Sequence, residues 1–167
     1  MANTYELISS VTVGSGGAAT MAFTSIPSTY TDLVVISSCR NTSTGGANIS
    51  MTFNGSSTGY TTKILEGDGS TVVSASGTYA NAGLIVYSNQ TSNTFSNNQV
   101  YIPNYASSNY KSFSTDGVQE NNATLAYSDL VAGLWSNTAA ITSITLTPTA
   151  NNFAEHSTAY LYGISNA

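Results

Sequence analysis

The chain has 167 residues, enough for one domain that buries most of the surface its unfolded form would expose. Only 7% of residues are charged, yet eleven Tyr, five Phe and one Trp are spread along the chain, which excludes the aromatic-poor, charge-rich composition of a disordered protein. The net charge of −5 rests on eight acids and three scattered bases, Arg40, Lys63 and Lys111, and excludes a phosphate-neutralising nucleic-acid surface.

The opening residues, MANTYELISS, carry neither a basic region nor a long apolar core, so synthesis in a cytoplasm without a secretory leader is expected. No apolar run approaches the roughly 20 residues of a membrane helix, so no membrane insertion is expected. A first strand reads at Tyr5 to Val13, and GSGG at 14–17 reads as a hairpin turn into a second, in which Ala19, Met21 and Phe23 alternate with polar residues. Thr31 to Arg40 follows, with LVVI apolar on consecutive residues and the single cysteine, Cys39, placed as a small buried thiol. In Asn48 to Asn54 the apolar side chains Ile49, Met51 and Phe53 fall on one face, as a half-buried strand requires.

The segment from Asn54 to Gly77, with Tyr60, Ile64 and Leu65, is the most irregular and reads as a functional excursion or an extra hairpin. Further strands read at Tyr79 to Ser88, Asn98 to Pro103, Lys111 to Gln119, Ala126 to Ser136, Ala140 to Thr147 and Thr158 to Ser165, with Trp135 as a core anchor. Clusters such as STGGAN, NGSSTG, SNQTSN and TANN separate them as turns. Helical periodicity is absent apart from room for one short helical turn at Pro27 to Tyr30. The pattern predicts a single all-β domain over 1–167, an antiparallel β-sandwich of eight to ten strands with a jelly-roll-like strand count. The consecutive apolar runs LVVI and GLIVY predict strands covered on both faces, by a second sheet and by a long loop or a neighbouring subunit.

Candidate chemistry is sparse. Glu155-His156 would titrate usefully, but adjacent strand residues point to opposite faces, so the pair reads as a solvated turn before the last strand. Glu66-Gly-Asp-Gly-Ser70 resembles a fragment of a calcium loop without its full ligand spacing, and reads as an acidic turn. No zinc-ligand spacing, phosphate loop or nucleophile elbow occurs, so neither catalysis nor a cofactor or metal is expected. Tyrosines in or near the loops of the middle third, Tyr60, Tyr79, Tyr87, Tyr101, Tyr105 and Tyr110, are candidate contacts for a partner protein or a glycan, because rigid amphipathic rings lose little entropy on contact.

Four stretches carry a likeness: MANTYELISSVTVGSGGAATMAFTSIPSTYTDLVV, VYIPNYASSNYKSFS, LVAGLWSNTAAITSITLTP and the closing FAEHSTAYLYGI. Together they resemble small Gly/Ser/Thr-rich β-sandwich virion proteins of tailed bacteriophages, whose chains close on F-x-x-x-S-x-x-x-L-Y-G-I. In that closing pattern a Gly precedes the Ser, and His156 stands in its place here. The resemblance implies a non-enzymatic virion protein, either a homotrimeric capsid-decoration (cement) or head-fibre subunit bound to the major capsid protein, or a tail-associated module recognising host surface glycan; a polysaccharide depolymerase is a third reading. Absence of heptads, collagen-like triplets and internal repeats favours a decoration subunit or a self-standing adaptor over a whole fibre.

Overall fold

The computed structural model describes residues 4–122 and 126–165. Twelve strands and no helix occur among them: β1 (Tyr5–Thr12), β2 (Met21–Phe23), β3 (Asp32–Ser38), β4 (Asn48–Phe53), β5 (Tyr60–Gly67), β6 (Val72–Gly77), β7 (Ala80–Leu84), β8 (Asn97–Ile102), β9 (Lys111–Val118), β10 (Ser128–Trp135), β11 (Ile144–Pro148) and β12 (Thr158–Ile164). The short helical turn for which Pro27 to Tyr30 left room does not form, and the chain there is bends and loop.

The strands form two packed antiparallel sheets, an eight-stranded one in the order β1-β12-β3-β8-β9-β10-β5-β6 and a four-stranded one in the order β2-β11-β4-β7. Pairing is nested: β1 with β12, β2 with β11, β3 with β8 and β4 with β7. A chain folded back once on itself and then rolled up would pair its strands in this way. Two hairpins interrupt the nesting, β5–β6 and β9–β10, and both add to the same sheet. The irregular stretch after Asn54 is thus the extra hairpin of the two readings open from sequence.

The GSGG turn does not make a hairpin, contrary to the expectation from its glycines. Gly17 N–H donates to the Gly14 carbonyl at 3.2 Å, which closes the turn, but β1 and β2 lie in different sheets, so the turn carries the chain from one layer to the other. Composition supplies the turn type and not the partner, because the alternation of β1 and β2 is equally served by either layer.

One core joins the layers. Phe53 packs edge-on against Phe113 at 5.8 Å and Trp135 at 5.5 Å, and Tyr60 stacks on Trp135 at 6.1 Å. Each such pair adds about 0.5–1.5 kcal/mol beyond area burial. Cys39 is fully buried, and burial pushes its thiol up to about 12, which keeps it protonated and unreactive.

Strand β7 would be an open edge of the smaller sheet, yet every residue of it is buried. Strands of the widened sheet curl over it. Asn98 of β8 stands in for a missing strand partner: its Oδ1 accepts from Leu84 N–H at 2.8 Å and its Nδ2 donates to the Leu84 carbonyl at 3.0 Å. Thr115 Oγ1 donates to the Asn81 carbonyl at 2.9 Å. An edge strand's backbone groups must find partners somewhere, and here side chains supply them. The apolar run GLIVY is covered within the chain, by the β8–β10 side of the larger sheet, so no neighbouring subunit is needed to explain it. The same holds for Val34 of LVVI, which is buried between its cross-strand neighbours Tyr101 and Tyr162.

The closing stretch FAEHSTAYLYGI is explained residue by residue. Phe153 is fully buried; Glu155 and His156 form an exposed turn, with His156 at φ 70°. Ser157 is buried, its hydroxyl donating to the Arg40 carbonyl at 3.0 Å and accepting from Arg40 N–H at 3.1 Å. Gly163 lies beneath the Tyr30 ring, where a Cβ would approach Tyr30 Cγ to 2.3 Å. Only glycine allows that ring to lie flat on β12.

Candidate functional site

Of the six tyrosines singled out from sequence, Tyr60 and Tyr105 belong to the core, and Tyr87 is half-buried and packs against it. Tyr60 is buried on Trp135, and its hydroxyl accepts from Phe53 N–H at 2.8 Å while donating to the Ser56 carbonyl at 3.2 Å. Tyr105 is also fully buried and donates to the Pro27 carbonyl. Neither reaches a partner, a correction that follows from both rings having apolar surroundings and a backbone acceptor within reach. Tyr79 is half-buried with its ring edge against Gly77, and Tyr110 is 58% exposed in the loop before β9. Tyr101 stands on the outer face of β8, its hydroxyl donating to Asp32 Oδ2 at 2.7 Å. That bond to the carboxylate raises the Tyr101 hydroxyl above its ordinary value.

The Glu66–Ser70 turn joins β5 to β6, and Asp68 is consumed by it. Asp68 Oδ1 accepts from the N–H groups of Ser70 at 2.8 Å and Thr71 at 2.6 Å, and Oδ2 accepts from Thr71 Oγ1 at 3.0 Å. These bonds hold its carboxyl far below the usual carboxylate range. No group of three or more His, Cys, Asp or Glu side chains able to hold a metal occurs among the described residues.

The surface that sequence reasoning missed is the outer face of the eight-stranded sheet. Leu65 of β5 lies opposite Leu130 of β10, and Leu130 opposite Asp116 of β9. Leu130 is 57% exposed, Leu65 49% and Val72 of β6 71%. Two adjoining hollows run over them. One, of about 430 Å³, is walled by Leu65, Val72, Val118 and Leu130; the other, of about 500 Å³, continues past Lys63, Ser114 and Asp116 to Gln99 and Tyr101. Soluble monomers seldom expose contiguous apolar surface of this kind without using it.

A signal for the groove stands in β10 itself, SDLVAGLW. Reading Leu inward and Asp outward would invert the strand; the structure turns Asp129 in and Leu130 out. Asp129 is 3% exposed, and neither carboxyl oxygen has a hydrogen-bond partner. It faces Glu66 across β5 and Gly117 across β9. A Cβ on Gly117 would lie 2.1 Å from Asp129 Oδ1 and 3.0 Å from Asn98 Oδ1, so glycine there makes room for the two oxygens. Burial, then the nearby carboxylates of Glu66 and Asp116, pushes Asp129 up to about 7. A carboxyl with that property suits acid catalysis only when substrate can reach it, and Asp129 is closed off on the inner face.

No protein-family model matches the chain. A search of curated proteins finds no match in sequence either. The remaining polar contacts are structural: Lys111, buried at the start of β9, donates through Nζ to the carbonyls of Ser107 at 2.7 Å and Thr138 at 3.4 Å, and burial lowers its ammonium below the ordinary value. Arg40 ties down the loop after β7 in the same manner. Its guanidinium donates to the carbonyls of Ser88 at 3.2 Å, Gln90 at 2.9 Å, Thr91 at 2.8 Å and Thr94 at 3.0 Å.

Proposed function

We propose that the protein is a non-enzymatic structural subunit of a tailed-bacteriophage particle, a decoration (cement) or head-fibre component on its outer surface, built as a jelly roll. The nested pairing of first strand with last and second with next-to-last supports the jelly-roll reading. Support for the virion role comes from the sequence likeness, from the low charge, and above all from the exposed apolar groove of Leu65, Leu130 and Val72. A groove of this size gives a partner virion protein or a second copy something to bury. The closed-off Asp129 and the turn-bound Asp68 support the non-enzymatic reading.

In this proposal the groove is covered in a homotrimer or against the major capsid protein. Light scattering on the purified chain, and its copy number in purified particles, test the two parts separately. A trimer that dissociates on Leu65→Ser with Leu130→Ser, and a copy number comparable with that of the capsid protein, are the expected results. A wild-type monomer at every concentration contradicts the trimer; absence from particles contradicts the virion role.

A further inference from the structure

Two open sheets have four edges, and three of these are guarded. Strand β2 is only three residues long, and β7 is buried along its whole length, with Asn98 and Thr115 bonded to its backbone. Strand β1 carries Glu6 and a bulge between Leu7 and Ser9. Short strands, cover, charges and bulges are the devices by which natural sheets avoid joining edge to edge.

Strand β6 has none of them. It ends the eight-stranded sheet beyond β5, and among the described residues no strand pairs with it on its other side. Its six residues, VVSASG, include no charge and no proline, and they pair with β5 from Gly67–Val72 to Thr62–Gly77 without a register shift. Lys63 reaches β6 from the β5 side, donating to Ser76 Oγ at 2.7 Å. The smaller sheet leaves β6 uncovered: Val72, on the face that bears the groove, is 71% exposed, and Val73, on the opposite face, is 53% exposed. An ordinary sandwich edge has one face packed; this strand is open on both faces and along its backbone.

We infer that β6 pairs with β6 of a second copy of this chain, antiparallel across a two-fold axis, so that two eight-stranded sheets run on as one. The choice of occupant follows from the edges themselves. A self-pair satisfies both free strands at once and closes, whereas β6 against β1 of another copy would meet the bulge and Glu6. Because β6 carries no charge, self-pairing sets no like charges opposite each other. Centred on Ser74, the pair places Val73 of each copy against Ala75 of the other on the inner face, and Val72 against Ser76 on the outer face. That register keeps the grooves of both copies on one side of the joined sheet, with Val72 between them. The inference uses the strand edge and rests on neither the virion reading nor the trimer. A six-residue edge is small beside the roughly 1,200 Å² of a standard interface, so the pair is weak in dilute solution and is best read by trapping it.

Oxidative cross-linking of the full chain is the test. Ser74→Cys and Ser76→Cys each place a thiol at an exposed position on the outer face of β6, and the native Cys39 is buried. Directly opposed antiparallel residues lie within disulfide reach; Ser76 lies opposite Val72 of the second copy, so its own counterpart is out of reach. Ser74→Cys should therefore give a disulfide-linked dimer at concentrations where Ser76→Cys stays unlinked. Adding Val73→Lys and Ala75→Lys to Ser74→Cys sets like charges opposite each other and should cut the yield at least about fivefold, with urea unfolding showing that the variant is folded. Leu65→Ser with Leu130→Ser should leave the cross-link unchanged, which separates this edge from the groove. No linked dimer from Ser74→Cys, equal cross-linking of Ser76→Cys, a yield that the two lysines do not reduce, or loss of the cross-link in the groove variant overturns the inference.

Discussion

Removing the buried carboxyl of Asp129 should stabilise the protein above neutrality. Its folded-state value of about 7 stands against an ordinary 3.8. Between roughly pH 4 and pH 7 the native state therefore holds a proton that the unfolded chain has released, so stability falls as pH rises through that window and levels off above about 7. At 1.36 kcal/mol for each pH unit of difference, the cost of ionising it reaches at most about 4 kcal/mol, and relaxation around the charge leaves an expected 2–4 kcal/mol. Against a total stability on the order of 5–15 kcal/mol this is large. Asp129→Asn keeps the shape of the protonated acid and removes the charge. Urea unfolding followed by tyrosine fluorescence should show the variant more stable than wild type by roughly that amount near pH 8 and close to it near pH 4.5, with a flattened pH profile between. Glu66→Gln should recover part of the gain by removing the facing charge. The reasoning is refuted if the wild type is as stable near pH 8 as near pH 5, or if Asp129→Asn destabilises at both.

Other substitutions test separate parts of the structure. His156→Gly relieves a left-handed backbone position at φ 70° and should raise stability by up to about 1 kcal/mol, seen as a rise in melting temperature. Asp68→Ala removes four acceptor bonds from the β5–β6 turn and should lower the melting temperature; because the Asp68 carboxyl is held low, the loss is full above the ordinary carboxylate range and should shrink progressively as pH falls through it toward the lowered folded-state value. Arg40→Lys should release the 88–94 loop, read as faster amide exchange there with the strands unchanged. Lys111→Ala should cost about 2–4 kcal/mol in urea unfolding, because it leaves the Ser107, Asn109 and Thr138 carbonyls without their donor.

The all-β sandwich was legible because period-two alternation is strong around β2, β4 and β12 and turn residues separate the strands. Pairing was not, since a strand of alternating residues fits any partner that buries its apolar face, and the β1–β2 turn shows that glycines alone do not make a hairpin. Aromatic residues were ambiguous for a physical reason: a tyrosine with one backbone acceptor at its hydroxyl packs as well in a core as at a rim, which is where Tyr60 and Tyr105 differ from Tyr110. Cys39 and Trp135 were placed correctly because a small thiol closing the apolar run at 33–36 and an indole next to Leu134 are both favoured in a core. The groove escaped notice because Leu65 and Leu130 look like core residues, and only the inward turn of Asp129 reveals that β5 and β10 present them to solvent.

Locating the chain in the intact particle by electron cryomicroscopy tests the proposed role most directly. The account predicts twelve-stranded density repeated over the outer surface of the capsid, with the face bearing Leu65, Leu130 and Val72 turned against a neighbouring subunit. Density confined to the tail, or a capsid-bound subunit whose groove faces open solvent, would contradict it.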